Sequence, residues 1–143
     1  MFSKDSLYFA FLNASRKHYL RTHMLLSEIG VYHGQPPLLF LLEKNDGLSQ
    51  KEIGEKLKTT ASTITVMLKR MEKSGIIKKK QDPDDQRIYR IYLTEKGRDV
   101  SIKAKAAIET LAYECFEGFS EQEKEEFKKL LGKMENNLKE KLE

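Results

Sequence analysis

The chain has no tryptophan, one cysteine and only three prolines among its 143 residues. A single cysteine, Cys115, excludes an internal disulfide and any zinc site built from cysteines. His18, His23 and His33 stand without a carboxylate or second histidine at metal-binding spacing, so neither a metal nor another cofactor is expected. No apolar run approaches the roughly 18 to 20 residues of a membrane-spanning helix, and the first residues, Asp5 among them, lack a secretory pattern. These absences lead us to expect a cytoplasmic protein with no membrane partner. Missing too are a glycine-rich phosphate loop, a nucleophile elbow and a paired-carboxylate motif, so no enzyme activity is expected.

What is present is charge and helical periodicity. Charged residues make up 34% and hydrophobic ones 39%, which suits one helix-rich globular domain with a short extension at most. The overall +4 is unevenly distributed. Residues 48–98 hold 13 Lys and Arg against seven Asp and Glu, a balance of +6, while residues 1–47 come to +1 and residues 99–143 to −3. A polyanion is drawn to such a segment, because each phosphate it neutralises releases counterions.

That basic segment contains the most informative stretch, Leu48 to Gly75. Ser49 and Glu52 have the spacing of a capping box, which opens a helix whose buried stripe is Ile53 and Leu57. Gly54 has no side chain to hold a neighbouring helix away. Lys58, Thr59 and Thr60 interrupt the period and supply hydroxyls for a new cap, so a second helix starts near Ala61. On it Ile64, Leu68 and Met71 share one side, with Met67 beside them. Ser62, Thr65, Val66, Lys69 and Lys73 fall opposite. Short hydroxyls let a helix approach a groove closely, and Lys69, Arg70 and Lys73 reach phosphates on either side.

Around this motif the chain reads simply. Residues 5 to about 27 form one helix with a broad apolar stripe, including Leu7, Phe11, His18, Tyr19 and Met24, wide enough to pack on two sides. Gly30, Gly34 and the Pro36–Pro37 pair end it and start a short buried helix, Leu38 to Lys44. After Gly75, Ile76–Gln81 and Arg87–Thr94 alternate around Asp82, Pro83, Asp84 and Asp85, which predicts a hairpin packed on the helices as a basic wing. Thr94 and Glu95 open a long helix, and a second capping box, Ser120 with Glu123, opens the last one. The first helix and these two carry more apolar stripe than a small central domain covers, which predicts a twofold dimer; an intramolecular bundle is the alternative. The expected fold is mainly α with a small β-hairpin wing: a dimerisation helix over 1–34, a winged helix-turn-helix over 35–97, and dimerisation helices over 98–143.

This order of elements resembles the MarR family of winged-helix transcriptional regulators over essentially the whole chain. Its most specific part is DPDDQRIYRIYLTEKG, Asp82 to Gly97, similar to the family's wing signature of an aspartate, one residue, an arginine and a strand ending in Leu-Thr. The resemblance implies a homodimer, typically a repressor, on a near-palindromic double-stranded operator, with recognition helices in successive major grooves and wing arginines in the flanking minor grooves. It implies that Ser62, Thr63 and Thr65 face bases or nearby phosphates, that Arg87 is the wing-tip arginine, and that Asp85 supports it by a salt bridge. Lys69, Lys78 and Lys79 are phosphate candidates on charge alone. Val66 departs from the pattern, and a valine can touch a thymine methyl where an arginine would bond a guanine.

Many members are released from DNA by a small aromatic effector, and the resemblance places Tyr19, His23 and Tyr32 along such a pocket; ordinary interface and core positions account for the same three residues. Other members sense oxidants through a cysteine near the start of the first helix, where this chain has none. Cys115 lies on an apolar stripe and reads as a buried, inert thiol. Two further readings compete with a sequence-specific regulator: a non-specific architectural DNA-binding protein, suggested by the lysine-rich wing and Val66, and a winged-helix protein-interaction module, suggested by the acidic last helix.

Overall fold

A computed structural model describes residues 3–142. Residues 1, 2 and 143, which fall in the expected outer segments, lie outside the described residues. The described chain runs α1 (Leu7–Ser27), α2 (Pro36–Lys44), β1 (Leu48–Ser49), α3 (Gln50–Leu57), α4 (Ala61–Lys73), β2 (Ile77–Gln81), β3 (Tyr89–Leu93), α5 (Glu95–Phe116) and α6 (Glu121–Leu142). This is the mainly helical winged helix-turn-helix architecture expected from the sequence. The chain divides between Glu109 and Thr110 into two compact units.

The first unit is built around α2, whose Leu38, Leu39 and Leu42 are fully buried. Pro36 and Pro37 occupy its first turn, where backbone N–H groups have no helical acceptor in any case. Ile53 of α3, Ile64, Leu68 and Met71 of α4, Ile91 and Leu93 of β3, and Val100 and Ala104 of α5 join the cluster, together with Leu26, Val31, Ile76 and Ile77. Each large aliphatic side chain among them contributes roughly 1.5–3 kcal/mol by leaving water. The capping box of α3 closes in both directions, with Ser49 Oγ accepting from Glu52 N–H at 3.2 Å and Glu52 Oε2 from Ser49 N–H at 2.7 Å. The turn between α3 and α4 is tight: Lys58 takes a left-handed conformation at φ 51°, and a Cβ on Gly54 would stand 3.3 Å from the Thr59 carbonyl. Thr60 then caps α4 by accepting from Thr63 N–H.

The wing has three strands where the sequence predicted two. β2 and β3 pair antiparallel, with Ile77 opposite Leu93, Lys79 opposite Ile91 and Gln81 opposite Tyr89. β1 adds Leu48 and Ser49 against Ile91 and Arg90, so the strand order is β1-β3-β2. The paired strands are shorter than expected because Ile76 N–H bonds back to Met71 at the end of α4, and Asp82 to Ile88 form the tip. Leu-Thr-Glu-Lys-Gly locks the exit. Thr94 Oγ1 donates to the Gly75 carbonyl at 2.6 Å and accepts from Gly97 N–H at 3.0 Å. A Cβ at Gly97 would overlap the Ile76 carbonyl oxygen at 2.1 Å, so only glycine allows this approach.

The long helices are less covered. α1, capped by Ser6, buries only Thr22 and Leu26 within the chain, so the expected packing on two sides is not made by this chain alone. In the second unit Phe116, Phe119 and Phe127 meet edge to face at 5.7–6.2 Å, and Ser120 and Glu123 form the expected capping box before α6. No described residue of α6 is buried.

Candidate nucleic-acid interface

The buried stripe of α4 turns its other side outward. Ser62, Thr63, Thr65 and Lys69 are exposed there, and Val66 is 54% exposed. Gln50, the first residue of α3, joins them through its Nε2, which donates to Thr65 Oγ1 at 2.5 Å. The two helices of the motif therefore present one connected polar surface.

The wing supplies the second part. Arg87 projects from the tip with its side chain 90% exposed, yet Nε and Nη2 donate to the two carboxylate oxygens of Asp85 at 3.0 and 3.1 Å. This two-pronged bond fixes a planar cation on a tip that would otherwise let it swing. Arg87 beside it holds the Asp85 carboxyl below its ordinary range. Lys79 and Arg87 share a groove of about 410 Å³ with Gln50 and Lys51, so the wing and α3 converge on one basic concavity. Lys78 stands apart from Lys79, since neighbouring residues of a strand point to opposite faces of the sheet.

Arg90 of β3 does not add to the basic surface of the wing. Its Nε donates to Asp82 at 2.5 Å, its Nη1 donates to the Gly47 carbonyl at 3.0 Å, and Glu52 lies 3.7 Å away. Asp82 Oδ1 also accepts from the N–H groups of Asp84 and Asp85. Its carboxyl is held below the usual range first by Arg90 and then by those two N–H groups. Arg90 and Asp82 thus tie the tip, the β1 turn and the start of α3 into one frame. The aspartate before a proline at a turn start was the available signal, because such a side chain accepts from backbone two or three residues on.

The three aromatic pocket candidates have different surroundings. Tyr32 lines a cavity of about 370 Å³ with Gln35, Ser62, Thr63, Met67 and Arg70, and the Arg70 guanidinium lies over its ring at 5.2 Å. Tyr19 instead meets His33 at 4.4 Å between ring centres, and His23 is exposed. Cys115 is exposed in the chain, which corrects the expectation of a buried thiol. Periodicity places it on a stripe, but no described residue covers that position.

A winged helix with a basic wing, an anchored tip arginine and a hydroxyl-lined outer helix defines a DNA-binding protein by fold and surface. The sequence model described as the MarR family matches residues 32–89. The organic hydroperoxide resistance transcriptional regulator of Bacillus subtilis is 33% identical over 127 residues, 89% of this chain and 83% of that protein. The crystal structure of the PcaV transcriptional regulator from Streptomyces coelicolor superposes with a TM-score of 0.85 at 23% identity, covering 94% of this chain and 98% of that one. A mutant MarR from E. coli, crystallised with operator DNA, superposes at 0.74 with 19% identity over 90% and 92% of the two chains. The chain belongs to the MarR family of DNA-binding transcriptional regulators, a family of regulators rather than enzymes. No described helix is long and apolar enough to cross a membrane.

Proposed function

We propose that the chain acts in the cytoplasm as a homodimeric repressor on a near-palindromic operator, with α4 in the major groove and Arg87 in the flanking minor groove. The observation that carries this reading is the connected surface in which Gln50 joins Thr65 while sharing its other side with Lys79 and Arg87. Ser62, Thr63 and Thr65 face bases or nearby phosphates, and Lys69 and Lys79 neutralise phosphates along the path, with Lys78 on the other face of the sheet outside it. Asp85 supports the wing arginine. The functional division is a winged helix over 35–97 flanked by dimerisation segments over 1–34 and 98–143. Support for the dimer comes from the outer helices, where Leu7, Tyr8, Leu12 and Leu20 of α1 and Leu130 and Leu138 of α6 are all exposed.

Release by a small aromatic molecule is the regulatory half of the proposal. The Tyr32 cavity, flanked by Ser62 and Thr63 of α4, is its best-supported site. Tyr19 and His23 enter only through the dimer region. Selection of bound duplexes from a random pool at near-physiological salt tests the operator reading. Enrichment of an inverted repeat with half-sites about one helical turn apart supports it. Retained DNA without a motif favours an architectural role, and no retained DNA favours a protein-interaction module.

A further inference from the structure

The hydroxyl protons at the start of α4 can be followed one by one. Thr60 Oγ1 donates its only proton to Thr63 Oγ1 at 2.9 Å, so its 3.3 Å contact with Ser62 Oγ uses the Ser62 proton. Thr65 Oγ1 donates to the Ala61 carbonyl at 2.8 Å and accepts from Gln50 Nε2. A hydroxyl has one proton to give and two lone pairs with which to accept. Ser62 and Thr65 therefore have no donor left for a base. Of the three hydroxyls expected to face DNA, Thr63 alone keeps its proton among the described residues.

Guanine O6 and N7, adenine N7 and thymine O4 all need a donor, which Thr65 lacks in this rotamer. With its proton on the Ala61 carbonyl and one lone pair taken by Gln50, Thr65 offers the groove one remaining lone pair and its γ-methyl, one residue from the exposed Val66. In the major groove the apolar feature that distinguishes one base is the C5-methyl of thymine. We propose that Thr65 determines specificity through its methyl, packing with Val66 on one thymine methyl in each half-site. Gln50 is the positioning residue that holds Thr65 in that rotamer. The inference rests on the operator-binding reading and adds which base chemistry the helix reads.

The test uses the selected operator with each thymine replaced in turn by deoxyuridine, which removes only the C5-methyl. Burial of one methyl changes affinity about fourfold, so uridine at the read position lowers affinity about fourfold in one half-site and about fifteenfold in both. Thr65→Val, which keeps a methyl and loses the hydroxyl, retains most of the affinity and the preference for thymine. Thr65→Ser does the reverse: it loses the methyl in both half-sites, binds about fifteenfold more weakly and accepts thymine and uridine operators alike. Gln50→Ala narrows the difference between the two operators and leaves the salt dependence unchanged, as expected of a neutral positioning residue. Uridine operators bound as tightly as thymine operators overturn the proposal and leave operator binding standing. The proposal falls equally if Thr65→Val abolishes binding that Thr65→Ser retains. Duplexes retained with no sequence preference overturn the operator reading and this inference together.

Discussion

Two helices with much the same apolar spacing meet opposite fates in this molecule. In α4, Ile64, Leu68 and Met71 recur every three or four residues and are fully buried. In α6, Phe127, Leu130, Leu131 and Leu138 recur in the same way and remain 39–56% exposed. Amphipathic periodicity states that a helix has a face to cover; it does not state what covers it. The winged helix is completed by its own chain. The outer helices leave apolar area of the kind that subunits bury against each other.

Truncation of matched leucines sharpens this contrast most. Leu68→Ala removes a fully buried side chain and should lower unfolding stability by about 3 kcal/mol, read from denaturant midpoints. Leu130→Ala, compared under dilute conditions where chains are separate, should cost less than about 1 kcal/mol. Equal costs would mean that α6 is already packed in the single chain.

Arg87→Ala, a change confined to an exposed tip, should leave stability unaltered and weaken operator binding by about 1–3 kcal/mol, roughly five- to 150-fold in Kd. Lys79→Ala should instead weaken all duplexes alike and reduce the salt slope by about one. Unchanged operator affinity in Arg87→Ala would remove the wing from the interface.

Acid should loosen the frame of the wing. Asp82 is held below its ordinary pKa by Arg90 and by the Asp84 and Asp85 N–H groups, and Glu52 by the Ser49 N–H and hydroxyl. A carboxyl lowered in the folded state stabilises fully above its unfolded pKa, and that stabilisation is lost as pH falls through the folded value. Amide protection of Lys80 and Arg90, a hydrogen-bonded pair of the wing, should therefore hold from neutral pH down to the ordinary carboxylate range and decline below it. Asp82→Asn should flatten most of that decline. The smallest effect is expected at Lys58, whose left-handed backbone is strained for a residue with a Cβ. Lys58→Gly should raise stability by about 0.5 kcal/mol despite the greater freedom of glycine in the unfolded chain.

What was legible in the sequence was local. Ser49 and Glu52, or Ser120 and Glu123, are three residues apart and announce helix starts by themselves; the stripe of α4 and the alternation of β3 need only a few turns or residues. The contacts that shape the interface span more chain. Gln50 finds Thr65 15 residues on, and Arg90 reaches the Gly47 carbonyl across 43. β1 is two residues long, too short to show alternation. Exposure of Cys115 escaped because a periodic stripe does not reveal what covers it. The separation of Lys78 from Lys79 was present in the two-residue period of the strand and needed only to be applied to the lysines.

Whether a second copy covers the outer helices is decided by the sedimentation mass of the full chain, free and on its selected operator, at concentrations where it binds. A homodimeric regulator sediments at twice the 16.6 kDa chain mass when free, and adds that same mass to the operator when bound. Leu130→Asp combined with Leu138→Asp, which places charges on the uncovered face of α6, should give a monomer with at least tenfold weaker operator binding, since each buried charge costs several kcal/mol. An unsubstituted chain that is monomeric and binds the operator with full affinity would contradict the dimer.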